Sequence, residues 1–206
     1  MPARNLIRVG RRVWRKQGIL FVLSAPSGGG KTTLARHLLA RLPRLTRSVS
    51  VTTRPRRRGE REGRDYHFVG RAQFLRGRVQ RHYLEWAKVH EYFYATPRRT
   101  VQRTLASGRD VVLVIDVQGA AQIKRRVPSS VTLFVVPPSW DALARRLRRR
   151  ATDDPTTIHR RLRVARQEVR AAGQYDYVVI NDRLSQAVDE LAAIITAERH
   201  RVVHRS

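Results

Sequence analysis

The sequence predicts an α/β fold: a parallel sheet flanked by helices, with a smaller antiparallel lobe inserted. Three observations predict it. Apolar runs with the bulk of strands buried on both faces recur at 19–23, 110–115, 131–136 and 177–180. Helix-periodic segments alternate with them, as right-handed crossovers between parallel strands require. Between 48 and 96 that rhythm gives way to short, half-buried strands around turn residues.

The first strand, Ile19-Leu20-Phe21-Val22-Leu23, stops at Ser24-Ala25-Pro26-Ser27-Gly28-Gly29-Gly30-Lys31-Thr32, and a helix begins at Thr33 with Leu34, Leu38 and Leu42 on one face. Strand, glycine loop, Lys-Thr and helix are the context of a phosphate-binding loop, with Ala25 where the first glycine usually stands. The residue types follow from the task. Backbone N–H groups must point inward at a polyphosphate, and side chains would block the approach. The helix N-terminus adds partial positive charge. Lys31 can reach the β- and γ-phosphates, and the Thr32 hydroxyl can ligate Mg²⁺. The alternative, an ordinary glycine-rich turn, is disfavoured because lysine is scarce here: Lys16, Lys31, Lys88 and Lys124 stand among 43 Lys+Arg.

After that helix, closed by Pro43, 48–53 reads as a strand and 54–63 as a charged loop. Tyr66 to Val69 is a short strand and Arg71 to Val79 a short helix. Tyr83 to Val89 alternates as a strand, and an aromatic-rich stretch runs from His90 to Thr96. Pro97 opens a helix that Gly108 stops. The strand 110–115 ends at Asp116, and Gln118 to Arg126 is helical. Pro137-Pro138 halts the strand 131–136, and Ser139 caps a helix to Arg150. Ala151 to Pro155 breaks it, helix resumes over 156–172, Tyr177 to Ile180 is the last strand, and an amphipathic helix closes the chain from Ser185.

Composition bounds the function. At 206 residues and 41% hydrophobic, the chain suits one core-forming domain. No apolar run is long enough for a membrane span. The absence of cysteine excludes disulfides, zinc-cysteine sites and thiol catalysis, and fits a reducing compartment, so a cytoplasmic location is expected. The net charge of +27 would suit nucleic-acid binding, but the arginines run through every segment instead of forming a patch. Non-specific polyanion binding at low salt is expected, specific nucleic-acid recognition is not. Residues 1–17 carry Arg4, Arg8, Arg11, Arg12, Arg15 and Lys16 and read as a basic extension in preference to an organelle-targeting peptide.

Ligands of such sheets sit at the carboxyl ends of the strands. Asp116, ending a buried strand, is placed to position Mg²⁺ directly or through water; its alternative is a helix N-cap. The inserted lobe offers Ser50, Arg54, Arg57, Tyr66, Glu85, Tyr94 and Thr96. Arginines and tyrosine hydroxyls suit a phosphate monoester. A carboxylate such as Glu85 can accept two parallel bonds from guanine N1–H and N2–H₂, a donor pair adenine lacks. Ser50 and Thr96 can meet the remaining purine edge. Arg146, Arg150 and Arg161 flank the break at 151–155 and read as cations on a hinged helical lid that excludes water and stabilises developing charge.

At this point the chain resembles the guanylate kinase family, nucleoside monophosphate kinases with a phosphate-binding loop. The matching stretches are 24–32, 48–54 with Arg57-Arg58-Gly59-Glu60, Gly63 to Val69, Leu84-Glu85-Trp86-Ala87, Tyr92 to Thr96, Ile115 to Gly119, Val136 to Ser139 and Val179 to Asp182. The resemblance implies ATP + GMP ⇌ ADP + GDP, with dGMP as a second acceptor, ATP as donor and Mg²⁺ as cofactor. It implies a P-loop core over 18–47, 97–145 and 173–206, a mononucleotide-binding lobe over 48–96, and a lid at about 146–172. By position, Ser50, Glu85, Thr96 and Asp116 match the guanine-contacting set, and Arg54, Arg57, Tyr66 and Tyr94 the GMP-phosphate set. Arg146, Arg150 and Arg161 match the lid and phosphate arginines. The donor set is Ala25, Pro26, Ser27, Gly28, Gly29, Gly30, Lys31, Thr32, Thr33 and Asn181, and Thr32 with Asp116 makes the metal set. Lys31, Arg54 and the three lid arginines are the expected catalytic residues.

The chain departs from the family at three places. Val114 stands where the first acid of Asp-x-Asp is usual, Ala95 replaces the glycine after a Tyr-Tyr pair that is Phe93-Tyr94 here, and the hinge reads Arg148-Arg149-Arg150-Ala151 where Arg-Gly-Arg-Gly is usual. The alternatives are a kinase of another phosphorylated acceptor such as a ribose bisphosphate, or a catalytically weakened GMP-binding module. Monomer and homo-oligomer both stay open.

Overall fold

The structure is a computed structural model and describes residues 17–89, 91–148 and 155–201. The basic extension to residue 16, Arg149, Arg150 and the break at 151–154 lie outside the described residues.

β1 (Leu20–Ser24) leads through the glycine loop to α1 (Lys31–Arg41) and β2 (Leu45–Arg47). The inserted part follows: β3 (Val51–Thr52), β4 (His67–Phe68), α2 (Arg71–Val79), β5 (Tyr83–Val89) and β6 (Tyr92–Pro97). α3 (Arg98–Ala106), β7 (Asp110–Val114), α4 (Val117–Arg126) and β8 (Val131–Val136) return to the first layer. α5 (Trp140–Arg148), α6 (Pro155–Arg170), a 3₁₀ turn (Ala171–Gln174), β9 (Tyr177–Ile180) and α7 (Leu184–His200) complete the chain.

The main sheet has the order β2-β7-β1-β8-β9, with every pairing parallel. Its central strand β1 is buried along its whole length, as a strand covered by helices on both faces must be. On one face α1 and α7 supply Leu34, Leu38, Leu191 and Ile195; on the other, Ile123 of α4 and Val101 of α3 pack on Leu20, Val22 and Leu113. Buried Asp110 ties the start of β1 to the last helix: Oδ1 accepts from Ile19 N–H at 2.8 Å and Oδ2 from Arg199 Nε at 2.7 Å.

The second sheet, β4-β3-β6-β5, has its own small core of Phe74, Phe93, Val51 and Ala95. It is mixed, not purely antiparallel as the sequence suggests: β3 pairs with β4 in parallel and with β6 antiparallel. The expected strand over 48–53 shrinks to Val51–Thr52, and a strand not expected from the sequence precedes it. Leu45–Arg47 joins the main sheet beside β7, and Val51–Thr52 joins the second. The chain crosses between sheets here, so each strand is short. Tyr92–Pro97 is a strand, because Phe93 and Ala95 face the small core while Tyr94 faces outward. Tyrosines at alternate positions hid that period from the sequence. Pro97 ends β6 and precedes α3 instead of starting the helix. Among the described residues no helix is long and apolar enough to cross a membrane.

Candidate functional site

A cavity of about 450 Å³ lies at the carboxyl edge of the main sheet, between the two sheets and α6. Ser27, Lys31, Ser50, Tyr66, Glu85, Tyr94, Asp116 and Arg161 line it. A second cavity of about 330 Å³ brings Arg54 and Arg57 to Thr32, Ser50, Tyr66 and Tyr94.

The phosphate loop is built by local geometry. Gly29 N–H donates to Pro26 C=O at 2.8 Å, closing a turn directly after β1. Gly30 caps α1 with φ of 92°, the left-handed region that a side chain strains. Lys31 opens the helix and its ammonium donates to the Ala25 carbonyl, so its head curls back over the loop. Thr32 and Thr33 are exposed on the first turn. Behind the loop, Asn181 is buried and its Nδ2 donates to Gly29 C=O at 3.1 Å. Arg146 Nη2 donates to the Asn181 carbonyl at 2.7 Å, and its Nη1 is buried without a described partner. Arg146 thus sits with Asn181 behind the loop, not with Arg161 at the cavity. Arg150 lies outside the described residues.

The cavity wall across from the glycine loop is built by side chains. Glu85 is 3% exposed, and Thr96 Oγ1 donates to its Oε1 at 2.6 Å. Burial pushes the Glu85 carboxyl up to about 7; the Thr96 hydrogen bond opposes that rise and the nearby Asp116 charge adds to it. Its place is set by β5 docking on α4: Gln122 Nε2 donates to Trp86 C=O at 2.7 Å, and Arg126 donates to Leu84 C=O. The approach is so close that a Cβ on Gly119 would stand 2.7 Å from Glu85 Oε2. Thr96 is wholly buried and reaches the cavity through Glu85.

Arg54 is buried, pairs with Glu60 at 2.6 Å, and lies 5.5 Å over the Tyr66 ring. Glu60 also accepts from the Arg57 backbone N–H at 2.8 Å, which orders the charged loop around Arg57. Tyr66 and Tyr94 meet edge to face with centroids 5.9 Å apart, and burial raises the Tyr66 hydroxyl. Asp116 takes both readings offered by the sequence. Its Oδ1 accepts from Gly119 N–H at 2.8 Å as the N-cap of α4, and the residue also lines the cavity.

Three residues at or next to these cavities escaped the sequence reading as site members: Glu60 and Glu168 line them and Gly119 backs Glu85. Glu60 carries the ion pair to Arg54; its six-residue spacing from Arg54 was the available signal. Gly119 makes room for Glu85. Glu168 is the lone acid of the arginine-rich helix α6, and its Oε2 accepts from Ser27 N–H at 3.1 Å. Burial raises the Glu168 carboxyl, with Lys31 and the Ser27 amide opposing and Asp116 adding.

Comparison with known proteins agrees with this geometry. A family model described as guanylate kinase matches residues 17–198. The chain is 48% identical over 180 residues to the guanylate kinase of Dechloromonas aromatica, covering 87% of this chain and 89% of that one. It is 47% identical over 188 residues to the guanylate kinase of Aromatoleum aromaticum, covering 91% and 92%. The solved guanylate kinase of Anaplasma phagocytophilum superposes with a TM-score of 0.76 at 36% identity, covering 90% of this chain and 88% of that one. By motif, fold and relatives alike, the chain belongs to the guanylate kinase family.

Proposed function

We infer that the protein transfers the terminal phosphoryl group of ATP to GMP, giving ADP and GDP, with dGMP as a second acceptor. The observation that carries this reading is a shared cavity: Lys31 of the phosphate loop and the buried carboxylate Glu85 line the same space. The second sheet, within about 48–96, is the acceptor lobe, the stretch at about 146–172 with α6 forms the lid, and 18–47, 97–145 and 173–206 form the core.

Each residue then has a chemical task. The loop amides from Ser27 to Thr33 and the Lys31 ammonium hold the donor's β- and γ-phosphates. Asn181, pinned to Gly29, and Arg146 support the loop on the donor side. Glu85 accepts from guanine N1–H and N2–H₂, while Thr96 holds the carboxylate in place and Ser50 lies nearby on the cavity wall. Arg54, Arg57, Tyr66 and Tyr94 bind the acceptor phosphate at the second cavity. Arg161, with Arg160, faces the space between the phosphates and stabilises equatorial charge. No protein base is required, because this transfer rests on positioning and charge neutralisation.

The donor set also suits Mg²⁺. This ion is held by one or two protein oxygens together with substrate phosphates and water, not by a full protein cage. The Thr32 hydroxyl is exposed at the loop and Asp116 stands at the cavity with its second oxygen unused by the cap. These two would hold the ion, which neutralises charge on the β- and γ-phosphates when bound. Val114 lies between the two cavities and contributes no carboxylate.

An ADP-release assay with ATP and Mg²⁺ across GMP, dGMP, AMP, UMP, CMP and a ribose bisphosphate tests the reading. Turnover confined to GMP and dGMP is expected. Turnover with a different acceptor would discard the guanine roles and leave the loop argument intact.

A further inference from the structure

The lid helix α6 carries Arg160, Arg161, Arg163, Arg166 and Arg170 and a single acid, Glu168. Helical spacing puts Arg161, Ala165 and Glu168 on one face. Ala165 is fully buried with Leu143 and Leu147 of α5, so this face is the packed one. It brings the half-buried Glu168 carboxylate onto the phosphate loop, 3.1 Å from Ser27 N, within the field of Lys31. A carboxylate is favoured there for the same reason a phosphate is: a loop amide, an ammonium and the positive end of α1 all attract an anion.

A phosphate oxygen and a carboxylate oxygen cannot hold the same N–H with full strength. Lys31 is the residue that reaches the β- and γ-phosphates, so an anion beside it stands at the terminal-phosphate end of the donor site. We propose that Glu168 is a displaceable stand-in for the donor's terminal phosphate: it seats α6 on the phosphate loop, ATP must evict it, and ADP, one phosphate shorter, contends with it less. Glu168 is thereby a specificity-determining residue that weighs against the triphosphate. Its eviction links donor binding to the position of the helix that carries Arg160 and Arg161 to the cavity. This role of Glu168 rests on the ATP–GMP reading but concerns the donor site alone.

The test is calorimetric titration of the full chain with ATP and with ADP, in Mg²⁺ and without GMP. Glu168→Gln keeps the shape and removes the charge, and Glu168→Ala removes the contact. Both are expected to tighten ATP about tenfold, the size of one charge-assisted hydrogen bond, and ADP less than about threefold. Glu168→Asp, which keeps the charge, should return the ratio of the two dissociation constants toward that of the unmutated chain. A merely structural glutamate would loosen α6 and weaken both nucleotides together. An unchanged ATP-to-ADP ratio in the Gln and Ala variants, or weaker ATP binding in both, overturns the proposal. If the unmutated chain turns over GMP and that ratio still does not move, this inference falls and the functional reading stands. An unmutated chain that binds no ATP overturns both.

Discussion

The two halves of the site are made by different means. The proposed donor half is mainly backbone: a turn after the fully buried β1, a left-handed glycine, the first turn of α1, and one lysine. The proposed acceptor half is mainly side chains, Glu85, Thr96, Arg54, Tyr66 and Tyr94, brought together around a small mixed sheet. Backbone amides read charge and are indifferent to most side-chain changes, so Ala25 is accommodated where a glycine usually stands. Side-chain recognition reads a particular base and depends on each partner staying in place. Phosphate chemistry and base selectivity should therefore be separable by mutation.

The largest effect is expected on the donor side. Lys31→Ala should lower kcat by more than about a hundredfold, the scale of removing a positioned charge at a reacting phosphate, while circular dichroism and melting stay near those of the unmutated chain. Near-normal turnover in this variant would break the comparison at its root. Next, Glu85→Gln should reduce kcat/KM for GMP by about ten- to a hundredfold, with ATP binding unchanged by calorimetry. An unchanged preference for GMP over AMP would remove base recognition from the acceptor half.

A smaller loss is expected from Gly119→Ala. The new Cβ would come within 2.7 Å of Glu85 Oε2, and Thr96 holds that carboxylate from the other side. KM for GMP should rise roughly tenfold with little change in KM for ATP, as a displaced hydrogen-bond acceptor implies. Smallest is a pH effect. Because burial lifts Glu85 to about 7, its protonated fraction grows as pH falls through that value. The ionised form accepts both guanine donors and the protonated form cannot, so KM for GMP should fall several-fold from pH 6 to pH 8. The Gln variant should lack that slope. For stability the sign is opposite: the folded chain holds this proton to a higher pH than the unfolded one. Its contribution is complete below about 4.5 and is lost as pH rises through about 7.

The same contrast explains what could be read in advance. Local chemistry announces its own structure: 24–32 carries its turn, its helix start and its lysine in nine consecutive residues. The doubly buried strands β1, β7 and β8 were legible because continuous apolar runs have few other homes. The run 177–180 is a strand, as expected, but β9 lies at the sheet edge with Val178 and Ile180 exposed, so burial on both faces does not hold there. β2 escaped notice because only Leu45 of its three residues is buried. Arg54 and Glu60 were visible individually, but their pairing depends on how a charged loop folds over Tyr66. Arg146 matched a family position, yet its contact is with Asn181, which the chain reaches only after α6 and β9.

What the sequence by itself determined is the α/β class, the phosphate loop and the family, because each rests on period or on contiguous residues whose physics is local. What tertiary structure decided is the environment of the carboxylates. Glu85 titrates near neutrality because β5 is docked on α4 through Gln122 and Arg126, which seals it from water. Asp116 is both cap and cavity wall because α4 starts where β7 ends. Glu168 meets Ser27 across 141 residues. Burial and long-range contact are properties of the packed chain, and no spacing along the sequence encodes them directly.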